Sequence, residues 1–226
     1  MIHAIGGTLW KVYGSSVRFD LKFRETCSLL NPSVFNPKPG DAVLFHGGTD
    51  IWPGLYGESP ISEVFTKRLL ARDVMERKIM EAALESNTPM IGICRGAQHL
   101  CCFAGGSLFQ HMDGHTNSNH GIQTATGEEF AFVPGDHHQV MRPNFGTRCI
   151  WEPLAWAYPS QHRDVKTGPE AEEFDKWEAD FELEIVWFPA IRGLAIQPHP
   201  EWATNESTTQ DFNKYIDRII DDYILS

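Results

Sequence analysis

The chain has 226 residues, a length typical of one domain with a substantial core. Its formal net charge of -11 argues against nucleic acid as a primary partner, because such a partner requires clustered positive charge. Five cysteines at irregular spacing indicate reduced thiols, and neither a signal-peptide pattern nor a run of about 18 apolar residues occurs, so we expect a cytoplasmic protein that does not span a membrane.

Two strands are predicted in the first 40 residues. Residues 2–5 form a short apolar strand that ends at Gly6-Gly7. Residues 17–23 alternate apolar and polar side chains, which indicates a second strand. Prolines and Gly40 within residues 36–41 then predict a turn.

A compact apolar strand, 42–45, is followed by the glycine pair Gly47-Gly48. Glycines at the carboxyl end of a buried strand let a backbone N–H point into a site, although an ordinary turn is the simpler interpretation of this pair alone. Asp73 and Glu76 have capping-box spacing, which predicts a helix from Asp73 to about Ser86.

The stretch 89–98 predicts a short strand, a sharp turn with Cys94 at its apex and the start of a helix that ends at Gly105-Gly106. Gly92 and Gly96 give the G-x-C-x-G spacing of a nucleophile elbow with cysteine in place of serine. A helix N-terminus favours a thiolate. A buried core cysteine is the alternative, and the nucleophile interpretation therefore requires a base elsewhere in the chain.

After residue 106 the sequence predicts short β segments and turns instead of alternating strands and helices. Alternating strands and helices up to this point indicate a parallel sheet, whose ligands bind beyond the carboxyl ends of the strands. We expect a hairpin from 121–126 and 129–133, and a strand at 147–151. The polar stretch 156–180 is a long loop or an inserted helix. The sequence then predicts a strand pair, 181–188 with 193–196, and a last helix capped by Ser207 and Gln210.

The base is predicted at His199, just after the strand 193–196. Glu201 lies two residues later, so both side chains point to the same side if Pro198 and Pro200 keep the backbone extended. A carboxylate that orients an imidazole beside a thiol is the arrangement that a cysteine nucleophile needs.

Together these motifs resemble the class I glutamine amidotransferase-like hydrolases, and most closely the γ-glutamyl-γ-aminobutyrate hydrolase (peptidase C26) branch. The resemblance covers about residues 42–204. The residues that carry it are Gly92-Ile-Cys94-Arg95-Gly96-Ala-Gln98, Pro198-His199-Pro-Glu201, Gly47-Gly48-Thr49-Asp50, Tyr56-Gly-Glu58, Arg72-Asp73-x-x-Glu76, Gly105-Gly106-Ser-Leu-x-Gln110 and His137-His138-Gln139.

The resemblance implies a single domain, 1–226, with a flavodoxin-like three-layer α/β fold, a mostly parallel central sheet and additional short antiparallel segments. It implies a triad of the nucleophile Cys94, the base His199 and the orienting Glu201. The backbone N–H groups of Gly48 and Arg95 would form an oxyanion hole. Candidate substrate-binding residues are Gly47, Gln98, His137, His138 and Gln139. The expected reaction is hydrolysis of glutamine or a γ-glutamyl amine through a γ-glutamyl thioester, with no cofactor and no metal ligand.

Three alternatives stay open at this point. A glutaminase subunit would deliver ammonia to a separate synthetase or ligase. A metal-binding protein is suggested by the many histidines, including the pair His111 and His115, but neither a cysteine pair nor an H-E-x-x-H pattern accompanies them. A non-catalytic binding protein is the third, and a homodimer is compatible with each of them.

Overall fold

The computed structural model describes residues 2–5, 37–116, 120–144, 150–173, 175–202 and 207–226. The strand predicted at 17–23 lies outside these residues, as does most of the strand predicted at 147–151. The strands are β1 (Ile2–Ile5), β2 (Ala42–Phe45), β3 (Met90–Ile93), β4 (Ser107–Phe109), β5 (His111–Met112), β6 (His120–Thr124), β7 (Glu129–Val133), β8 (Val140–Arg142), β9 (Glu152–Ala157), β10 (Val165–Lys166), β11 (Leu183–Phe188) and β12 (Gly193–Ile196). The helices are α1 (Ala71–Glu85), α2 (Arg95–Phe103), α3 (Lys176–Asp180) and α4 (Ser207–Tyr223).

The central sheet has eight strands in the order β1-β2-β3-β12-β11-β9-β6-β7. Its first four strands are parallel, and the pairs from β12 to β7 are antiparallel. The predicted α/β fold is therefore confirmed, with a mixed sheet in which antiparallel strands extend the parallel half. The predicted hairpin is β6 with β7, and the predicted strand pair is β11 with β12.

Helices cover both faces of the sheet and form the three layers. On one face, apolar residues of the central strands, such as Ile93 and Ile196, pack with Phe212, Ile216 and Ile220 of α4. On the other face, alternate strand residues pack against apolar side chains of α1 and α2, namely Ile79, Met80, Ala83, Ala97 and Leu100. Strands buried on both faces read as continuous apolar runs, which explains β2, β3 and β12. Along the described part of the chain, none of the helices combines the length and apolarity that a membrane crossing needs.

Helix α1 begins two residues earlier than predicted, at Ala71 instead of Asp73. Asp73 occupies the third helical position, where its carboxylate accepts the backbone N–H of Leu70 at 2.9 Å. Asp73 and Glu76 are buried, and their carboxylates pair with cations rather than acting only as caps. Sequence spacing alone does not distinguish these two roles of an acidic residue.

The stretch 156–180 contains more regular structure than a loop. It includes the end of β9 at Ala157, the two-residue strand β10, which pairs with β5, and the five-residue helix α3. Ile150 and Trp151 lie outside the strands, and β9 begins at Glu152.

Candidate functional site

Three neighbouring parallel strands deliver the predicted site residues to one edge of the sheet. Gly47 and Gly48 follow β2, Cys94 follows β3, and His199 follows β12. Because β3 lies between β2 and β12, Cys94 has the glycine turn on one side and the histidine on the other. Carboxyl ends of parallel strands are the usual place for ligands in such sheets.

The elbow at Cys94 has the strained geometry that its glycines predict. Cys94 has φ 50° and ψ -110°, a conformation that L-residues rarely adopt. Its N–H donates to the Ile196 carbonyl at 2.8 Å, which ties the turn to β12. A Cβ on Gly92 would lie 2.4 Å from the backbone of Gly96, and one on Gly96 would lie 2.1 Å from the Phe45 carbonyl oxygen. Only glycine fits at either position.

His199 is held between the elbow and Glu201. Its Nδ1 lies 2.7 Å from Glu201 Oε1, and its ring and Cys94 lie against the same glycine, Gly47. Its backbone N–H donates to the Pro134 carbonyl at 2.8 Å. Trp202 stacks on the imidazole, with ring centroids 3.6 Å apart and planes 2° from parallel. These contacts leave the imidazole little freedom to rotate.

The expected extended backbone at His199–Glu201 is wrong. Pro200–Trp202 form a 3-10 turn, in which the Trp202 N–H donates to the His199 carbonyl at 3.0 Å. Proline at the first position of a short helix has its φ preset and lacks only an N–H that would be unpaired there. The turn brings the carboxylate back to Nδ1, so the predicted pairing is present for a different reason.

The environment of His199 favours its charged form. Burial opposes protonation, but the hydrogen bonds with Cys94 and Glu201 and the negative charges of these groups outweigh it and raise the pKa of His199 to about 10. An imidazolium beside Cys94 at neutral pH stabilises a thiolate. An imidazolium and a thiol held together in this way can supply a nucleophile and a proton donor.

The glycine turn after β2 lies against the same two side chains. A Cβ on Gly47 would be 3.0 Å from His199 Cε1 and 3.4 Å from Cys94 Cβ. Gly48 has φ +143°, and a Cβ there would be 2.4 Å from Arg72 Nη1. Side chains at these two positions would displace the groups around the thiol, so the pair is more than an ordinary turn.

A buried ion network beneath the elbow was missed in the sequence. Arg95, which is 1% exposed, pairs its guanidinium with Asp73 and Glu76 of α1, and Glu76 also contacts His99 Nδ1 at 3.0 Å. Arg72 donates from Nε to Glu76 at 2.7 Å. The sequence feature that could have indicated this network is the pair Asp73 and Glu76, one turn apart on α1. Their spacing also fits a helix cap, which is how it was interpreted.

Arg72 connects this network to the glycine turn. Its Nη1 donates to the Gly47 carbonyl at 3.0 Å, and its Nη2 donates to the His46 carbonyl at 2.7 Å. With these two carbonyls held, the peptide that carries the Gly48 N–H has a fixed orientation. The network thus positions both sides of the space in front of Cys94.

A cavity of about 510 Å³ opens in front of Cys94. Of the predicted substrate-binding residues, Gln98, His137, His138 and Gln139 line it together with Gly48, while Gly47 lies behind it against His199. Residues that were not predicted from the sequence also line it: Thr49, Asp50, Phe65, Thr116 and Asp136.

Several lining groups are already oriented by the protein. Gln98 Nε2 donates to the Gln139 carbonyl at 3.1 Å. His138 Nε2 lies 3.1 Å from an Asp50 carboxylate oxygen. Burial, with His115 and His120 nearby, lowers the pKa of His137 well below its usual range, so this imidazole is neutral. The cavity wall therefore offers neutral and acidic polar groups of fixed orientation.

One further group of side chains could hold a metal ion. His115, His120, His137 and Glu184 are all buried and bring four ligand atoms within 4.8 Å of one another. The histidines were apparent from the sequence, but no metal ligands were predicted, since Glu184 lies far along the chain on β11. Only His137 among the four lines the cavity.

Comparison with known proteins identifies relatives. The peptidase C26 family model matches residues 39–148. The glutamine amidotransferase-like protein YvdE homologue of Lactococcus lactis subsp. cremoris is 33% identical over 45% of this chain and 64% of its own length. The γ-glutamyl-γ-aminobutyrate hydrolase PuuD of Escherichia coli is 33% identical over 38% of this chain and 34% of its own length. The chain thus spans less than two thirds of the length of these curated relatives.

Solved structures share the fold. A glutamine amidotransferase from Thermotoga maritima superposes with a TM-score of 0.53 and 13% identity, over 98% of this chain and 84% of that one. At such identity the likeness concerns the fold alone. The family model and the sequence relatives confirm the predicted resemblance to the class I glutamine amidotransferase-like family near the peptidase C26 branch.

Proposed function

We propose that this class I glutamine amidotransferase-like protein, close to the peptidase C26 branch, hydrolyses a γ-glutamyl amide through a γ-glutamyl thioester on Cys94. The observation that carries the proposal is the meeting of Cys94 with His199, itself held by Glu201 at 2.7 Å, at the mouth of a cavity. The match to peptidase C26 and the similarity to a γ-glutamyl-γ-aminobutyrate hydrolase support the γ-glutamyl substrate class.

In the proposed first half-reaction, the Cys94 thiolate attacks the γ-carbonyl carbon. The C–S bond forms, and the carbonyl π pair moves to oxygen, where the N–H groups of Gly48 and Arg95 would donate hydrogen bonds. Such a donor typically contributes about 2.7–4 kcal/mol to lowering the barrier. The tetrahedral intermediate then collapses, the C–N bond breaks, and His199 gives its proton to the leaving amine.

In the second half-reaction, His199 takes a proton from water. The hydroxide attacks the thioester carbon, the C–S bond breaks, and glutamate leaves while Cys94 returns as a thiolate beside the imidazolium. Glu201 stabilises each imidazolium state through Nδ1 and keeps Nε2 directed at the sulfur. The proposed cycle needs only water as a second substrate.

The oriented groups on the cavity wall suit the polar end of a glutamyl substrate. A glutamyl group carries an ammonium and a carboxylate at its α-carbon. In this proposal the Asp50–His138 pair and the side chain of Gln98, which line the cavity with Cys94, contact these groups. Phe65, which is 76% exposed and lines the same cavity, is a candidate contact for the leaving amine.

The test is hydrolysis by the purified chain alone. We expect release of ammonia from glutamine or of the amine from γ-glutamyl amines, and loss of that activity to below detection in Cys94→Ala. We expect its retention in Cys102→Ala, which alters a buried cysteine near the carboxyl end of α2 that does not line the cavity. Activity that survives Cys94→Ala would refute the mechanism. A wild-type chain that is inert alone but releases ammonia beside an ATP-dependent synthetase would instead assign it as a glutaminase subunit.

A further inference from the structure

We propose that His115, His120, His137 and Glu184 form a buried, closed site for one divalent transition-metal ion, with Zn²⁺ the ion that fits best. The four residues come from separate parts of the chain. His115 lies in the turn after β5, His120 opens β6, His137 lies between β7 and β8, and Glu184 belongs to β11. Folding therefore brings together three nitrogen ligands and one oxygen ligand, and zinc binds histidine nitrogen and carboxylate oxygen.

The three distances from the Glu184 oxygen are close to the edge length of a tetrahedron around zinc, and the four ligand atoms all lie within 4.8 Å of one another. From Glu184 Oε1, the distances are 3.0 Å to His120 Nε2, 3.4 Å to His115 Nδ1 and 3.6 Å to His137 Nε2. A tetrahedral ion with metal–ligand bonds of about 2.0–2.1 Å places its ligand atoms roughly 3.3 Å apart. An ion at the centre would therefore require shifts of only a few tenths of an ångström along these edges.

Hydrogen bonds made by the outer ring nitrogens set two of the histidines in the tautomer that a metal requires. His115 Nε2 lies 2.6 Å from the Glu182 carboxylate and donates to it. His137 Nδ1 donates to the Gln139 carbonyl at 3.1 Å. The second nitrogen of each ring, which faces Glu184, then carries a lone pair. Metal-bound histidines nearly always have such an outer acceptor, a carboxylate or a backbone carbonyl.

The cluster contains buried polar atoms that the described part of the chain does not satisfy. His115 Nδ1, His137 Nε2 and Glu184 Oε2 have no hydrogen-bond partner among the described residues. Their residues are 0%, 5% and 0% exposed. Lone pairs of two imidazoles directed at a carboxylate are unfavourable in a buried space, and a shared cation removes that cost.

Without a metal ion, the hydrogen bond that Glu184 makes within the cluster is with His120, whose Nε2 lies 3.0 Å from Oε1. The rings of His115 and His137 are only 4.7 Å apart, centroid to centroid. Among the described residues, the hydrogen bond of His120 leaves His115 Nδ1, His137 Nε2 and Glu184 Oε2 without partners. A metal ion accounts for all four residues at once.

The burial of the site indicates a structural ion rather than a catalytic one. No ligand residue is more than 5% exposed, so four protein ligands close the coordination sphere. The ion would fix the segment between β7 and β8 to β11. That segment contains Pro134, whose carbonyl holds the His199 backbone, and the cavity-lining residues 136–139. The proposed ion thus supports one wall of the candidate active site without contact to a substrate.

The experiment measures metal content and coordination directly. Purified chain is stripped with a chelator and titrated with ZnCl₂, and in parallel with CoCl₂ while the visible spectrum is recorded. We expect about one tightly bound Zn²⁺ per chain and the intense d–d absorption of tetrahedral Co²⁺. Glu184→Gln should abolish the tetrahedral spectrum. Glu182→Gln keeps all four ligands but weakens the outer hydrogen bond to His115, so zinc affinity should fall about 10–100-fold.

Two control variants separate this site from other zinc ligands. Cys94→Ala removes the thiolate that could bind zinc with His199, and His111→Asn removes a histidine outside the cluster; both should retain the metal and the spectrum. Absence of tight zinc in the wild-type chain, or zinc that is lost in Cys94→Ala but kept in Glu184→Gln, would overturn the proposal. If Glu184→Gln does not fold, the wild-type cobalt spectrum and the Glu182→Gln affinity still decide between these outcomes.

Discussion

Replacing Glu76 by glutamine isolates the ionic contribution of the network under the elbow. The Glu76 side chain is fully buried and meets Arg95, Arg72 and His99. Glutamine has nearly the same shape, so the substitution removes a charge and leaves the packing. Burial raises the pKa of Glu76, but the hydrogen bond with His99 and the charges of Arg95 and Arg72 prevail and lower it from 4.5 to about 2.

The size and the sign of the effect follow from this shift. The folded pKa lies below the unfolded one, so the carboxylate stabilises the fold fully above pH 4.5, and that contribution is lost as the pH falls towards 2. A shift of about 2.5 units (4.5 minus 2) at about 1.4 kcal/mol per unit corresponds to roughly 3 kcal/mol at pH 7. At pH 3 the contribution should be about half as large.

Urea unfolding of wild-type protein and Glu76→Gln at pH 7 and at pH 3 measures this difference. Glu81→Gln is the matched control on the same helix, because Glu81 pairs with Arg77 at 3.3 Å but is 53% exposed. The control should lose no more than about 0.5 kcal/mol. A loss below about 1 kcal/mol in Glu76→Gln at pH 7, or a loss that does not diminish at pH 3, would refute the assigned role of the buried carboxylate.

Two further predictions concern the elbow and the adjoining turn. Gly48→Ala should lower kcat about 10²–10³-fold, because its Cβ would strike Arg72 and reorient an oxyanion donor. Gly57→Ala controls for backbone strain, since Gly57 has φ +83° and a Cβ there would meet nothing within 4 Å. Equal kcat values in the two variants would exclude the proposed role of the Gly48 N–H. Alkylation of Cys94 at pH 7 should be faster in the wild-type chain than in His199→Asn, since the pKa of His199 is raised to about 10 and its imidazolium, present below that pH, stabilises a thiolate. Equal alkylation rates in the two proteins at pH 7 would contradict the ion pair.

The sheet and the elbow were accessible from the sequence because their signals are local. Buried parallel strands are continuous apolar runs, and Gly92 and Gly96 occur where only a hydrogen fits beside Cys94. Parallel strands also share one carboxyl edge, which let residues distant in sequence, such as Gly48 and His199, be assigned to one place. The fold and the principal contacts of the candidate site follow from these rules.

The remaining features depend on contacts between residues that are distant in the sequence. The sequence alone does not indicate which of these residues pair. Arg95 meets Glu76 across 19 positions of the chain, and a buried acidic residue on a helix looks the same as a cap until its partner is known. Glu184 is a polar residue in the otherwise apolar strand β11, and a polar residue in such a strand usually faces solvent. Its contact with His120 depends on β9 and β6 joining the sheet beside β11. The position of the Glu201 carboxylate depends on the 3-10 turn Pro200–Trp202. Pro198 and Pro200 predicted an extended backbone there instead.

The most direct test of the central claim is to find the acyl group on the proposed nucleophile. The wild-type chain is mixed with glutamine or a γ-glutamyl amide, quenched in acid during turnover and digested for mass spectrometry. We expect one glutamyl group on the peptide that contains Cys94, removed by hydroxylamine as glutamyl hydroxamate and absent from Cys94→Ala. Turnover without any glutamyl group on Cys94 under conditions that preserve thioesters, or with turnover undiminished in Cys94→Ala, would contradict the thioester mechanism.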